Sequence, residues 1–516
     1  MDKNNVKTLL DLVKQSAIEF GDRIFIREKC GKEIIEKDRK TFYEDVLRTA
    51  EFLKEATGGE KAHAAVIGLT SYNYLVSYFG TVSSGNVAVP LDSQLSCEDI
   101  ADHINRADVT VFFYDARYAP MISTIKKLSP QVKTYVAMQD NEEADNNLSD
   151  ILAKYQPKEQ EAVSPDSLAA IVYTSGTTGL SKGVMLTHAN LIDNTMCQDN
   201  EATPEDSVLT VLPIHHVYCF TCDILCSLRY GDTVCVNDSL MRIAMNLQLF
   251  KPTILLLVPM IAQTICKQIK AAAKAKNLPA AAVAQAFFGG RLKGILSGGA
   301  YLHPEVVAEY KSFGIPIAQG YGMTECSPRI STATIDTINV GDVGTVVNGC
   351  TVKIVDGEIT VKSPSVMQGY YKNPEATAEA LTEDGWLRTG DLGYVDEENR
   401  VFITGRKKNL IILSNGENVS PEELENKFAV SDIVAEIMVY GEEGFVTAEI
   451  FPNPDTTKDM SREEVIAALN EEIKTVNATL SSSKTIRRLR LREAEFDKTP
   501  SKKIKRTMQT SQGELV

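Results

Sequence analysis

The densest group of residues that could bind a phosphate is the segment YTSGTTGLSKGV at 173–184. Its glycines would let backbone N–H groups approach an anion closely, and its serine and threonine hydroxyls add further donors. Lys182 adds a positive charge. The P-loop pattern GxxxxGK[ST] cannot be aligned on this segment. Taken alone, it therefore predicts a phosphate site of another kind.

Five later segments carry groups that suit a nucleotide. SGGA (297–300) precedes GYGMTE (320–325), which offers an aromatic face for a base, a hydroxyl for a phosphoryl group and a carboxylate for a hard cation. WLRTGD (386–391) ends in an aspartate whose two oxygens could accept from a vicinal diol. GRKKNLIILSNGENVSPEELE (405–425) and KTPSKKIKR (498–506) are basic. Each segment in isolation is also compatible with a turn or a solvated charged end.

Taken together and in this order, the motifs resemble the signatures of the adenylate-forming superfamily, which includes acyl-CoA synthetases, peptide-synthetase adenylation domains and beetle luciferases. The resemblance runs from residue 173 to residue 506, and residues 1–165 add only a compatible pattern of strands and helices. It implies ATP and Mg²⁺ as cofactors. The implied reaction forms an acyl-adenylate, releases pyrophosphate, and then passes the acyl group to the thiol of CoA or of a carrier-protein phosphopantetheine.

The resemblance also implies roles for single residues. Tyr321 would stack on adenine, and Asp391 would accept both ribose hydroxyls. Thr324 would bond the α-phosphate as a catalytic residue, and Glu325 would be catalytic and hold Mg²⁺. The full set of implied ATP-binding residues is Thr174, Ser175, Gly176, Thr177, Thr178, Gly179, Lys182, Gly299, Ala300, Tyr321, Gly322, Asp391 and Arg406.

By the same resemblance, the C-terminal segments would supply the catalytic lysine, the hinge and the residues that face the pantetheine after the domain rotates. Lys503 matches the catalytic lysine of the superfamily, but Lys502 stands where relatives have glycine, so which of the two lysines points inward is open. Lys408 matches the position at which relatives hinge. Ser414, Asn415 and Gly416 would face the pantetheine tunnel after the domain rotates.

The segment VLPIHHVYCFTCDILCSL (211–228) resembles the wall of the acyl pocket. His216 aligns with a common catalytic histidine, and His215 is expected to pack. Tyr218, with Cys219 and Cys222, stands where amino-acid-activating relatives carry an aspartate, so an ammonium group would be unpaired there. We expect Asp223 to cap or face another element.

The acid itself is less clearly specified. FFGGRLKGILSGGAYLHPE (287–305) and the C-terminal motifs look like the long-chain fatty acyl-CoA ligase branch, which favours a medium- or long-chain fatty acid. An aryl acid is the second choice and an amino acid the third.

Composition and periodicity predict the architecture. With 516 residues the chain should divide into domains, and apolar strand-like runs alternate with helical ones, which predicts an α/β fold with parallel sheets. We expect a large N-terminal domain over 1–406 with doubly wound sheets and a small β-rich subdomain. A hinge at 407–408 and a small mobile α+β lid domain over 409–516 would follow. Residues 267–285 predict one surface helix.

Charge and cysteine usage restrict the partners. Fifty-four basic and 69 acidic residues give 54 − 69 = −15, which disfavours a nucleic-acid partner. No signal peptide or membrane segment is expected, and ten cysteines without a repeated spacing favour a reduced, cytoplasmic protein. A basic group at the C-terminal end could meet CoA phosphates or an acidic acyl or peptidyl carrier protein: Lys484, Arg487, Arg488, Arg490 and Arg492.

Other functions remain compatible with these motifs. A stand-alone enzyme that loads an aryl, fatty or amino acid onto a carrier protein would look almost the same. A non-catalytic relative that binds a nucleotide or an acyl chain is a further alternative, since Lys502 departs from the superfamily pattern. Nothing in the sequence supports luciferase-like oxygen chemistry.

Overall fold

A computed structural model describes residues 1, 4–174, 181–198, 202–334, 338, 341–413, 417–482, 484–498, 504–506 and 512–516. Over these residues the first large sheet has nine strands. Its six central strands run parallel, and antiparallel strands are added at both edges. In spatial order the strands are Thr345–Val346, Arg329–Thr332, Ile317–Gly322, Gly294–Ser297, Ile254–Leu257, Ser207–Thr210, Thr233–Val236, Ile24–Cys30 and Glu33–Asp38.

The second large sheet has seven strands in the described part of the chain. Five of them are parallel, and two antiparallel strands complete one edge. In spatial order they are Gly369–Tyr370, Lys182–Thr187, Leu168–Thr174, Val87–Leu91, His63–Ile67, Val109–Tyr114 and Thr134–Ala137.

Smaller sheets occupy the C-terminal third of the chain. A third, antiparallel sheet follows the two large ones and contains Thr351–Val355, Glu358–Lys362, Leu387–Val395 and Val401–Arg406. Ile411–Ile412 pairs with Asn418–Val419. The last sheet is mixed and contains Val434–Glu442, Phe445–Pro452, Arg488–Leu491 and Glu514–Leu515.

Helices connect and cover these sheets. None of the described helices is both long enough and apolar enough to cross a membrane. The principal α-helices are Leu9–Phe20, Arg39–Ala56, Tyr72–Ser83, Cys97–Arg106, Ile122–Leu128, Leu148–Lys154, His188–Met196, Val217–Cys219, Cys226–Tyr230, Ile243–Phe250, Pro259–Lys276, Ala280–Phe287, Pro304–Ser312, Pro374–Ala380, Pro421–Glu425, Pro454–Thr457 and Arg462–Asn477.

The expected fold class is confirmed. Central strands such as Val87–Leu91 are buried along their whole length, as parallel strands covered on both faces should be. Asp38 caps the helix Arg39–Ala56 by accepting from the Thr41 backbone N–H at 2.6 Å.

After the phosphate-loop segment, Lys182–Thr187 returns as a strand antiparallel to Leu168–Thr174, and the helix His188–Met196 begins directly after that strand. One local feature differs from the sequence expectation. The expected single surface helix over 267–285 is two helices, Pro259–Lys276 and Ala280–Phe287. Asn277 has a left-handed backbone (φ 52°), and Pro279 follows it, so the helix ends there.

A buried arginine fastens the N-terminal segment to the first sheet. Arg39 is only 1% exposed, and burial lowers its pKa to about 10, so it is charged at neutral pH. Its guanidinium donates to Ser16 Oγ at 3.1 Å, to the Ile24 carbonyl at 2.8 Å, to the Ser227 carbonyl at 3.1 Å and to the Asp232 carbonyl. Ser227 lies in the helix Cys226–Tyr230, the last part of the helical segment that walls the cleft described below, so Arg39 also positions that segment.

We expect Arg39→Met to lower the free energy of unfolding by about 3 kcal/mol or more, because several buried carbonyls would lose their donor. Lys40→Met, at the exposed neighbouring position, is the matched control and should stay within about 0.5 kcal/mol of the wild type. Denaturant unfolding measures both. Equal stability of the two variants would contradict the anchoring role.

Candidate active site

A single large cleft of about 2180 Å³ gathers the residues to which the sequence assigned chemistry. It lies where several strands of the first sheet end, the usual place for ligand sites in open α/β sheets. Every predicted site residue that the structure describes lines this cleft: Thr174, Lys182, His216, Tyr218, Cys219, Cys222, Gly299, Ala300, Tyr321, Gly322, Thr324, Glu325, Asp391, Arg406 and Lys408.

The remaining predicted site residues lie outside the described residues. They are Ser175, Gly176, Thr177, Thr178 and Gly179 of the phosphate loop, Ser414, Asn415 and Gly416 of the expected pantetheine tunnel, and Lys503. Their flanking residues are described. Thr174 and Lys182 are register partners, so the loop between them leaves from and returns to one point of the cleft.

A buried carboxylate organises one end of the cleft. Asp391 is 4% exposed and accepts a hydrogen bond from the Tyr321 hydroxyl at 2.8 Å. Arg406 Nε lies 2.7 Å from the other oxygen of Asp391, and the two residues are register partners on adjacent antiparallel strands. Burial first, and the Asp391 charge second, raise the pKa of Tyr321 well above its usual value. The phenol is therefore neutral and donates to the carboxylate.

A second carboxylate, that of Glu325, lies on the turn after the strand Ile317–Gly322. The Tyr370 hydroxyl donates to Glu325 Oε1 at 2.8 Å, and Lys182 Nζ lies 4.8 Å from the centre of the Tyr370 ring. Burial and the Glu325 charge both raise the pKa of Tyr370 above its usual value. One Glu325 oxygen is therefore fixed by a neutral phenol, close to a lysine.

Gly322 shapes this turn. A Cβ at Gly322 would lie 1.9 Å from the Pro328 carbonyl oxygen, so only glycine allows the two backbone segments to approach this closely. The Met323 N–H also donates to that carbonyl at 3.0 Å. The turn therefore presents Thr324 and Glu325 to the cleft from a fixed backbone.

The acyl wall, defined here as Tyr218, Cys219 and Cys222, lies on a helical segment whose central turn, Phe220–Leu225, is a π-helix. The Tyr218 ring packs against Gly298, where an added Cβ would lie 3.0 Å from Tyr218 Cζ. The Tyr218 hydroxyl donates to the Leu296 carbonyl at 3.3 Å. Cys222 is half-buried at the cleft surface, whereas Cys219 is fully buried.

Asp223 does not line the cleft in the described structure. Its carboxyl accepts from the Cys219 thiol at 3.6 Å, and burial raises its pKa well above the usual value. The carboxyl is therefore neutral and faces away from the cleft. It provides no counter-charge for an ammonium group.

Two histidines border the cleft between the two large sheets. The rings of His215 and His216 are 4.2 Å apart. Burial and the neighbouring His216 lower the pKa of His215 well below its usual value, so its 3.7 Å contact with Asp92 joins a neutral ring to a carboxylate. His216 is half-buried and faces the same cleft.

The segment that leads into the C-terminal sheet also borders the cleft. Lys407 Nζ bonds Glu358 at 2.8 Å. The pKa of Lys408 is lowered by burial first and then by the charges of Arg406 and Lys182, while Asp391 and Glu325 oppose that change. Lys408 thus lies among the charged groups of the cleft.

Residues after Lys503 reach the cleft from the C-terminal side. Ile504, Lys505 and Arg506 all line it. Arg506 forms an ion pair with Glu425 and donates to the Val439 carbonyl at 3.3 Å. This C-terminal strip is therefore fastened to the C-terminal sheet and faces the cleft.

Sequence reasoning missed Tyr370 and Arg329. Tyr370 is 45 residues from Glu325 along the chain, and no spacing pattern links the two. Arg329 lines the cleft beside the acyl wall although it lies only four residues after Glu325. The expected turn motif ended at Glu325 and gave no reason to examine the next residues.

Comparison with known proteins agrees with this geometry. Residues 14–371 match the family described as AMP-binding enzyme, and residues 408–513 match the AMP-binding enzyme C-terminal domain. Long-chain-fatty-acid–CoA ligase FadD15 of Mycobacterium bovis is 26% identical over 515 residues, covering 86% of this chain and 85% of that protein. 4-Coumarate–CoA ligase 1 of Oryza sativa is 33% identical over 312 residues, covering 55% of this chain and 53% of that protein.

A solved structure supports the fold. The adenylation domain of a carboxylate reductase from Mycobacterium chelonae has a TM-score of 0.82 at 22% identity, covering 96% of this chain and 88% of that one. The expected superfamily and the expected enzyme class, an acid–thiol ligase, are confirmed by the family matches and the ligase relatives. The family match covers more than half of the sequence, so this chain belongs to the AMP-binding enzyme family.

Proposed function

We propose that this enzyme activates a medium- or long-chain fatty acid with ATP, forms the acyl-adenylate, and transfers the acyl group to the thiol of CoA. One observation carries the proposal. The Tyr321–Asp391–Arg406 cluster, the Glu325–Tyr370 pair and the acyl wall all line one cleft. Nucleotide and acid could therefore meet there, as adenylation requires.

The nucleotide would lie along the Asp391 end. A buried carboxylate with two acceptor oxygens suits a ribose diol, and the Tyr321 ring offers a flat face to the base. Thr174 and Lys182 bracket the loop that would surround the phosphates. Thr324 would bond the α-phosphate, where charge develops as the acid attacks.

Glu325 fits the role of a Mg²⁺ ligand. Its Oε1 accepts from Tyr370, and a single carboxylate combined with nucleotide phosphates is the usual way in which proteins hold Mg²⁺. When bound, the ion would neutralise phosphate charge. Tyr370 would keep the Glu325 carboxylate oriented.

The acid would lie against the acyl wall. Tyr218 and Cys222 give this wall an apolar character, and Val258 and Ile261 also line the cleft. An α-amino acid would bring an ammonium group to a wall where Asp223, the carboxyl on the same helical segment, is neutral. The relative named long-chain-fatty-acid–CoA ligase favours a fatty acid. The 4-coumarate relative keeps an aryl acid as the second candidate.

The acceptor is proposed to be free CoA, and loading of a carrier protein is the alternative. Several C-terminal cations that could attract an acidic carrier already have carboxylate partners. Lys484 pairs with Glu423 at 2.8 Å, and Arg490 pairs with Glu442 at 2.8 Å. Arg492 is buried with Glu449. These pairs reduce the positive surface available for an acidic protein.

Two conformations are required because the thiol must reach the carbonyl that Lys503 would contact during adenylation. We propose an N-terminal domain over 1–406, a hinge at 407–408 and a lid domain over 409–516. Ile504 and Lys505 line the cleft, which supports assigning this arrangement to the adenylating state. After rotation, Ser414, Asn415 and Gly416 would face the pantetheine arm.

All ten cysteines are free thiols, which supports the proposal of a cytoplasmic protein.

We expect the activity to appear in an assay of pyrophosphate release with ATP, Mg²⁺ and a panel of acids. The panel spans butyrate to stearate, benzoates and amino acids, each with and without CoA, and hydroxylamine traps the adenylate. A fatty-acid maximum that rises with CoA supports the proposal. A maximum at aryl acids, or turnover indifferent to CoA, would move the assignment to a carrier-loading enzyme.

We expect Asp391→Asn to lower kcat/KM for ATP by about 10- to 100-fold, because a charge-assisted contact to the ribose is worth roughly 1.5–3 kcal/mol. The KM for the acid should change little. Tyr321→Phe is the matched variant, since it removes only the hydroxyl that contacts Asp391 and keeps the aromatic face. If Asp391→Asn changed the KM for the acid and left kcat/KM for ATP unchanged, the assignment would be contradicted.

We expect Lys503→Ala to slow adenylation by about 100- to 1000-fold, the usual effect of losing one preorganised donor, which is about 2.7–4 kcal/mol. Thioester formation from a supplied acyl-adenylate should persist. Lys502→Ala is the matched control and decides which lysine points inward.

We expect Lys408→Pro, at the proposed hinge, to show the reverse of the Lys503→Ala pattern, with adenylation retained and thioester formation slowed. Parallel loss of both half-reactions in either folded variant would argue against two conformations.

A further inference from the structure

A buried positive charge borders the acyl wall. Arg329 begins the strand Arg329–Thr332, is 8% exposed, and lines the cleft together with Cys222 and Tyr218. Burial raises the pKa of both Cys222 and Tyr218, and the Arg329 charge acts on both groups in the opposite direction. The Arg329 guanidinium is therefore close enough to lower the pKa of Cys222 and Tyr218, the residues against which the acid would lie.

Neutral acceptors hold this guanidinium from one side. Nη2 donates to the Asn194 carbonyl, lies 3.5 Å from the Thr195 carbonyl, and contacts Cys226 Sγ at 3.8 Å. Nε lies 3.4 Å from Asn194 Oδ1. Among the residues that the structure describes, Nη1 has no hydrogen-bond partner. Two N–H groups of Arg329 are thus left for another acceptor.

Among the hydrogen bonds and ion pairs of the described residues, none joins the Arg329 guanidinium to a carboxylate. Arginine keeps its proton at any physiological pH. The thiols of Cys222 and Cys226 are neutral, because burial raises their pKa. Asp223 is also neutral, and its carboxyl accepts from Cys219. A buried cation without a counter-ion is costly unless a ligand supplies the anion.

We propose that Arg329 binds a second carboxylate at the far end of the acid, so that the substrates are α,ω-dicarboxylic acids. This inference rests on the proposed function and specifies its substrate class. The reacting carboxylate would lie near Thr324, the apolar middle of the chain against Tyr218 and Cys222, and the distal carboxylate on Arg329 Nη1. The methyl end of an unsubstituted fatty acid would instead leave the guanidinium desolvated and unpaired.

A purely structural role gives a different expectation. Arg329 also caps carbonyls at the end of the helix His188–Met196, and this contact alone would stabilise the fold. In that case, substitution would change stability, or lower activity toward all acids by one common factor. A role in specificity changes the ratio between two acids, so that ratio is the decisive readout.

The test compares kcat/KM for mono- and dicarboxylic acids with equal numbers of carbon atoms, from four to sixteen. The wild type should favour a dicarboxylic acid by about tenfold or more, the effect of one charge-assisted contact. Arg329→Met should lower this ratio by about 10- to 100-fold, and Arg329→Lys should retain part of it. A wild type that prefers every monocarboxylic acid, or an Arg329→Met variant with an unchanged ratio, overturns the inference.

Cys222→Asp is a second variant that leaves the carbonyl contacts of Arg329 intact. A carboxylate at this position would neutralise the guanidinium, so the dicarboxylate preference should fall as in Arg329→Met. This variant decides the outcome if Arg329→Met does not fold, as judged by thermal unfolding. An unchanged ratio in folded Cys222→Asp counts against the inference.

Calorimetric binding of the same acid pairs in the presence of AMP separates this inference from the proposed function. If no acid supports pyrophosphate release, the proposed function fails. Tighter binding of the dicarboxylic acid, lost in Arg329→Met or Cys222→Asp, would still support Arg329 as an anion site. Equal binding of both acids would overturn it.

Discussion

The end of the cleft to which we assign the nucleotide depends on one interaction, the buried carboxylate of Asp391. It accepts from Tyr321, 70 residues earlier in the chain, and from Arg406 on the neighbouring strand. Three segments from two sheets therefore meet at one buried anion. Because its two partners are a neutral phenol and a guanidinium, the charge is compensated while the carboxylate still borders the cleft.

The same cluster links the site to the C-terminal part of the chain. Arg406 ends the strand Val401–Arg406. The next residue, Lys407, forms an ion pair with Glu358 of the same sheet. Lys408 then lies among the cleft charges: burial lowers its pKa first, Arg406 and Lys182 lower it further, and Asp391 and Glu325 oppose that change. A rotation at this position would separate Lys408 from groups that interact with it now. The proposed hinge and the proposed nucleotide site therefore share a few adjacent residues.

Much of the fold was predictable because its signals are local. Buried strands such as His63–Ile67 read as continuous apolar runs, and the ends of helices carry their own capping residues. The glycine at 322 was recognisable within a motif, and the close approach of the Pro328 carbonyl explains why it is needed. Every described residue that the motifs assigned to the site lines the cleft.

The features that sequence reasoning missed depend on contacts between distant segments. Tyr370 reaches Glu325 only because the short strand Gly369–Tyr370 pairs with Lys182–Thr187, a strand that was itself not expected. Asp223 was expected to cap or face another element, but the sequence indicated neither the π-helical turn that contains it nor the Cys219 thiol from which its carboxyl accepts. Periodicity cannot report such a local change in helix geometry.

Arg329 shows most clearly why the acid could not be identified from motifs. By type, an arginine after a turn is expected to be solvated, yet here it is buried beside neutral thiols. An apolar side chain of similar volume would pack into this position without the cost of desolvating a charge. The contacts of Arg329 with the Asn194 and Thr195 carbonyls offset part of that cost. Under the proposal made above, a bound anion would offset the rest, and this favours an acid that is charged at both ends.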